Sequence, residues 1–320
     1  MKQNNVKLCL GTAQFGMKYG VNNQIGRQPT YDEVFEMLDL AIENGITAID
    51  TSSAYGNAEE ILGMYFSAKP EQRREVVLFS KMRLTDQQEE SDNNHGDILS
   101  RVKAELAGSL KRLNTNHLEG YLLHVPDDVY NGEIVDALSK LKEEGIVDHI
   151  GVSIYSLKEG IAAIDTGVLD AVQLPYSIMD QRGVKDGFFR SAKDHGFVVA
   201  TRSAFLQGFF QMKEGNVPEH LKQALPYVHI IEEVLNKYHL DLTTAALGFI
   251  KAEADIDYLV FGAEKKEILQ EDIQKFNKAD LPLACISELK SHINDVPESI
   301  IFPSNWGKKS SSVGRMKVSL

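Results

Sequence analysis

Cysteine is almost missing from this chain: Cys9 and Cys285 are its two thiols in 320 residues. Two thiols so far apart make neither a disulfide framework nor a zinc site, so a reducing compartment is the default and no bound metal is expected. Basic residues are in the minority, 34 Lys and Arg against 46 Asp and Glu, which leaves a formal net charge of −12. That balance argues against nucleic acid or an anionic membrane as a partner, because both bind through a basic face. No apolar run approaches the roughly 20 residues that span a bilayer. Met1 to Val6 is polar and lacks the apolar centre of a signal peptide. A cytoplasmic protein is the expectation. Also lacking is a linker rich in Pro, Gly or Ser, so residues 1–302 read as one domain and 303–320 as a C-terminal tail.

What the chain does have is a regular beat of short apolar runs and longer amphipathic stretches. Strands are expected at residues 6–10, 46–49, 76–79, 118–123, 149–152, 171–174, 198–201 and 258–260. Helices are expected over 31–44, 59–65, 98–113, 134–144, 157–165, 186–195, within 218–238, and over 266–276. Thr30 is a ready N-cap for the first helix and Gly45 a ready stop. Leu99, Val102, Leu106 and Leu110 fall on one helical face. Strand-then-helix units in that number close a parallel (β/α)8 TIM barrel. A doubly wound α/β sheet would carry a Gly-rich phosphate turn after its first strand. Gly11-Thr12-Ala13-Gln14-Phe15-Gly16 lacks that spacing, and the barrel is favoured.

Barrels of this kind place their active sites where the strands end at the C-terminal face. After the second strand comes Asp50-Thr51-Ser52-Ser53-Ala54-Tyr55-Gly56, after the third Ser80-Lys81, and after the fourth His124. Singly, these residues have plain uses: an Asp caps helices, a Tyr packs, a His sits satisfied in a core. Together, at neighbouring strand ends, they have a chemical one. A free tyrosine has a pKa near 10, too high for efficient proton transfer at neutral pH. A nearby ammonium favours the phenolate, and a carboxylate holds that ammonium in place. Such a tyrosine can protonate a carbonyl oxygen while hydride, which no side chain supplies, arrives from a cofactor. A different barrel chemistry, with Lys81 as a Schiff-base amine, stays open on these residues alone.

The segment Ile49-Asp50-Thr51-Ser52-Ser53-Ala54-Tyr55-Gly56-Asn57-Ala58-Glu59-Glu60-Ile61-Leu62-Gly63 resembles the signature of the aldo-keto reductases. The resemblance implies a (β/α)8 barrel and an NAD(P)H-dependent enzyme that interconverts an aldehyde or ketone, sugars included, and its alcohol. Asp50, Tyr55, Lys81 and His124 match the family's tetrad, with Tyr55 as general acid/base, Lys81 and Asp50 tuning it, and His124 orienting the carbonyl. The likeness extends from Gly11 and Thr12 to the Phe261-Gly262-Ala263 segment. It implies that Ser153 and Gln173 hold the carboxamide, with Ile154 where relatives have Asn. After the seventh strand, Arg202 takes the place of a stacking aromatic, followed by Ser203, Phe205 and Gly208. At the adenosine end, Gly262, Ala263, Lys265, Glu271 and Asp272 match the phosphate-holding segment, with Asp272 in place of a frequent Asn. NADPH is the cofactor expected, with NADH as the alternative. Met82, Val125, Tyr155 and Phe205 are expected around a small carbonyl substrate. A second class, a redox-sensing regulatory subunit that binds nicotinamide with little turnover, is set against the complete tetrad. The residues carry no sign of oligomeric state.

Overall fold

A computed structural model describes residues 6–84, 97–303 and 306. The polar stretch of residues 87–94 lies outside the described residues, as does the tail beyond 303 apart from Trp306. The strands are β1 (Lys7–Gly11), β2 (Ala48–Asp50), β3 (Val77–Met82), β4 (Leu118–Leu123), β5 (Val147–Ser153), β6 (Ala171–Pro175), β7 (Val198–Arg202) and β8 (Tyr258–Phe261). They pair in chain order and close into a barrel, β8 joining β1 in parallel. Lys81 proves to be part of β3 rather than of the loop after it, because Ser80 and Lys81 find ladder partners in Tyr121 and Leu122.

Around the strands run α1 (Tyr31–Glu43), α2 (Ala58–Ala68), α3 (Ile98–Arg112), α4 (Gly132–Glu143), α5 (Leu157–Asp165), α6 (Phe188–Asp194), α7 (Leu225–Lys237), α8 (Leu242–Lys251), α9 (Lys266–Lys278) and α10 (Leu283–His292). Thr30 and Glu33 form a reciprocal capping box at the start of α1, and Gly45 ends it at φ 79°. In α3, Val102 and Leu106 are fully buried, while Leu99 and Leu110 are half-buried against the same core. The sequence pattern missed α8 because Ala245 through Ile250 are all buried, leaving no polar face to set a helical period. Residues 186–195 are shorter as a helix than expected, since Gly187, at φ 68°, forces the turn from which α6 starts.

Strand parity decides what faces the barrel interior. The register runs Gly11↔Asp50, Asp50↔Phe79 and Phe79↔Gly120 on one side, and Ser153↔Gln173 and Gln173↔Ala200 on the other. Side chains alternate along a strand, so Lys81, two past Phe79, points inward as Asp50 does. The lower interior is plugged by Cys9, Ala48 and Val260, with Val77, Ala200 and Tyr258 packed against them. Phe79 lies across the bare Cα of Gly120 and meets Tyr258 edge-on at 5.7 Å. A plugged base leaves the C-terminal mouth as the open end.

Outside the barrel, Glu59 of α2 is buried, accepting from Ser80 Oγ at 2.6 Å and from Arg112 Nε of α3 at 2.7 Å. This bond fixes α2, and the loop before it, against the outer face of the strand that carries Lys81. Among the described residues no helix is long and apolar enough to cross a membrane.

Candidate active site

At the mouth, the loops continue the ladder pattern: Thr51 N–H donates to Phe79 O at 2.8 Å and His124 N–H to Met82 O at 2.9 Å. These bonds bring Asp50, Tyr55, Lys81 and His124 together. Lys81 is 1% exposed. Its Nζ donates to Asp50 Oδ2 at 2.6 Å, to Thr51 O at 3.0 Å and to the Tyr55 hydroxyl at 3.4 Å. An ammonium has three protons, and here each has an acceptor. Burial works against the charge, but Asp50 and Tyr55 outweigh it and hold the Lys81 pKa above its ordinary value. With its three protons bonded this way, Lys81 presents no lone pair for carbonyl attack in this arrangement. Asp50 is held on its other oxygen by Gln173 Nε2 at 2.7 Å. The His124 ring stands perpendicular to Tyr55, centroids 5.6 Å apart, and its Nδ1 lies 2.8 Å from Ser52 Oγ. Burial, reinforced by the charges of Lys81, Arg202 and Arg83, pulls the His124 pKa down to about 3, so the ring is neutral at physiological pH.

From this group a cleft of about 930 Å³ runs across the mouth. Asp50, Tyr55 and Gln173 wall its inner end, Thr12, Arg202 and Phe205 its middle, and Gly262, Glu264 and Ile268 its far end. The loop after β1 bridges it. Val21 N–H donates to Gln207 O at 3.0 Å, Gln207 Nε2 to the Tyr19 hydroxyl at 3.0 Å, and Gln24 N–H to Glu264 Oε1 at 3.1 Å. Beyond β7, Ser203, Leu206 and Gln207 all take positive φ. Strain of that kind persists where a loop is shaped for a ligand. Thr12 Oγ1, buried at the cleft wall, has no protein partner, nor does Asp272 Oδ2 on α9. The spread of its lining residues and the orphan hydroxyl of Thr12 at its wall suit an extended dinucleotide rather than a compact ligand.

A family model described as the aldo/keto reductase family matches residues 7–294. The chain belongs to the aldo/keto reductase family. It is accordingly an NAD(P)H-dependent enzyme that reduces carbonyl groups. The NADH-specific methylglyoxal reductase of Escherichia coli (strain K12) is 26% identical over 299 residues, which cover 85% of this chain and 90% of that protein. An uncharacterized oxidoreductase of Bacillus subtilis (strain 168) is also 26% identical, across 82% of this chain and 88% of its own. Among solved structures, the holo form of an aldo-keto reductase from Bacillus halodurans matches with a TM-score of 0.71 and 19% identity, over 89% of this chain and 91% of that one. That last likeness is one of fold.

Within this aldo/keto reductase, the cofactor residues expected from sequence divide into those at the cleft and those turned away. Gly11, Thr12, Gln173, Arg202, Ser203, Phe205, Gly208 and Gly262 line it. Ser153 is buried beside Gln173, its Oγ 3.4 Å from Oε1. Arg202 lies on the Tyr155 ring at 4.4 Å and donates to Ile154 O at 3.0 Å, with no carboxylate partner among the described residues. Ile154 points outward by strand parity and is buried, its side chain close to Gly160 on α5. It therefore makes no amide contact at the mouth. Ala263 is buried, and Lys265 is the N-cap of α9. Lys266 turns to Glu36 on α1 at 3.3 Å, and Glu271 to Lys275 of its own helix at 2.8 Å. Sequence reasoning missed Tyr19, Asn22 and Asn23, which line the cleft from the long loop after β1. It also passed over Ser52, although a period-two count from Asp50 would have pointed that residue inward.

Asp272 carries a consequence for stability. It is buried, and burial followed by the charge of Glu271 pushes its pKa up to about 7. The unfolded chain titrates this group near 3.9, so between roughly pH 4 and 7 the folded state binds the extra proton. Stability is then lost as pH rises through that window, by up to about 4 kcal/mol once the carboxylate is ionised. Asp272→Asn should flatten this loss. Urea unfolding at pH 5.5 and 8.5 checks it; parallel declines in both proteins would refute the assignment.

Proposed function

We propose that the enzyme transfers hydride from a nicotinamide coenzyme to a small aldehyde or ketone, sugars included, with Tyr55 as the proton donor. The observation that carries this reading is the buried Lys81 ammonium, bonded at once to Asp50 and to the Tyr55 hydroxyl at the inner end of the cleft. A nicotinamide cofactor held there would supply the hydride that reaches the carbonyl carbon, which no side chain of the protein can provide. The chain handles the proton. Tyr55 gives its hydroxyl proton to the carbonyl oxygen as negative charge builds there, and Lys81 faces the oxygen left behind. Asp50, gripped by Gln173, keeps Lys81 in position. His124 gives the same carbonyl oxygen a hydrogen bond from an uncharged ring. In the oxidative direction Tyr55 takes the alcohol proton back.

Ser153, Gln173 and Arg202 hold the nicotinamide end in this reading, and Thr12, Ser203, Phe205 and Gly208 the middle. Gly11 and Gly262 lie along the wall beside the phosphates, and Ala263, Lys265, Glu271 and Asp272 border the adenosine. A proton on Asp272 near neutral pH would make it a donor there, as the amide of an Asn would be. NADPH is the family-based expectation, but the far wall favours NADH. Glu264 and Ile268 line the cleft, and of the two lysines that could meet a 2′-phosphate, Lys265 and Lys266, the second is paired with Glu36 on α1. The E. coli relative named NADH-specific agrees with that preference. The same reading takes residues 1–302 as one barrel unit, supported by a hydrophobic cluster running from Val6 to Phe302.

Fluorescence titration of the purified protein with NADH and with NADPH, followed by a panel of aldehydes and keto-sugars, tests both parts. Tighter binding of NADH, with its oxidation by a panel member, is the expected result. Tighter binding of NADPH would reverse the cofactor choice, and failure to bind either form would end the reductase reading.

A further inference from the structure

The tetrad leaves one question of chemistry unanswered: which nitrogen of His124 carries its single proton. A neutral imidazole has one donor and one acceptor nitrogen. If the proton were on Nδ1, Nε2 would present a lone pair to the carbonyl oxygen and repel the charge growing there. Ser52 stands at the point where this is decided. It is fully buried in the loop after β2, two residues past the inward-facing Asp50.

Ser52 Oγ accepts from Ala54 N–H at 3.1 Å and has one proton to give. Two acceptors lie within reach, His124 Nδ1 at 2.8 Å and Lys81 O at 3.3 Å. The carbonyl is already in demand. Ser53 approaches Lys81 O with its backbone N–H at 3.3 Å and with its hydroxyl at 3.3 Å. A carbonyl oxygen has two lone pairs, and Ser53 alone fills both. The shorter and less contested partner for the Ser52 proton is therefore Nδ1.

We propose that Ser52 is a positioning residue that donates its hydroxyl proton to His124 Nδ1, fixing the ring as the tautomer with its proton on Nε2. The catalytic His124 thereby faces substrate as a hydrogen-bond donor, and the loop that carries Tyr55 also sets the chemistry of its neighbour. This inference rests on the proposed reductase mechanism for its effect on rate, but not for the tautomer itself.

The test is nitrogen-15 NMR of the histidine-labelled full chain without substrate, with the His124 signals assigned through a His124→Asn spectrum. An Nε2 signal of the protonated type and an Nδ1 signal of the unprotonated type are expected. In Ser52→Ala the pattern should become mixed. That variant should lose about tenfold in kcat, the size of one buried hydrogen bond, with its cofactor dissociation constant unchanged. Protonated Nδ1 in the wild-type spectrum, or an unaltered spectrum and kcat in Ser52→Ala, would overturn the proposal. Because the spectra need no turnover, they judge the tautomer even if no carbonyl is reduced, a result that would count against the reductase reading instead.

Discussion

Tyr55→Phe is expected to lower kcat by about two to four powers of ten, the range contributed by a well-placed acid/base group. The substitution removes one oxygen. Lys81 keeps its bonds to Asp50 at 2.6 Å and to Thr51 O at 3.0 Å, so the buried ion pair stays intact. Thermal unfolding and cofactor titration should therefore match the unaltered protein. Steady-state rates on one reducible carbonyl, measured beside those controls, make the comparison. A variant with near-normal turnover would take the proton-donor role away from Tyr55.

A second large effect is expected from a position that touches no reacting atom. Gly16 closes the short helix Ala13–Gly16, and a Cβ there would overlap the carbonyl oxygen of Tyr55 and the amide nitrogen of Ala58. Gly56 faces it, at φ 55°, with its own missing Cβ directed at Gly16 O. Two backbones thus meet where side chains have no room, and the loop carrying Tyr55 is seated by that contact. Gly16→Ala forces the loops apart. Overpacking of this kind removes on the order of 1 to 3 kcal/mol of stability. Displacing the Tyr55 hydroxyl by about 1 Å lowers the rate about a hundredfold. Urea unfolding reads the first effect and kcat with saturating cofactor reads the second. Wild-type values in both would mean that the two loops are not coupled.

The barrel was legible because its signals are local. Each strand is a short apolar run, and Thr30 with Glu33 and Gly45 marks the ends of α1 within the sequence itself. Asp50, Lys81 and His124 could be picked out because each sits at or just past a strand end, and Tyr55 because it lies in the loop that follows one; strand ends repeat predictably. What escaped depends on pairings between distant residues. Nothing near Ser52 announces a bond to His124, and nothing near Lys266 reveals that it serves Glu36 on α1. The outward turn of Ile154 was hidden until the strand register gave each position a side. The buried α8 escaped for another reason, since a helix covered all round has lost the polar stripe that sequence patterns detect.

The order of these parts along the chain divides the mouth into two halves. The groups proposed to handle the proton come from β2, β3 and β4 and the loops after them, whereas Ile154, Arg202 and Asp272, which differ from the residues the family resemblance would place there, all follow β5. A change made at the later strand ends can therefore alter coenzyme contacts without touching the loops that carry Asp50, Tyr55, Lys81 and His124. The Gln173–Asp50 bond joins the two halves, and a change at either residue is felt on both sides of the mouth.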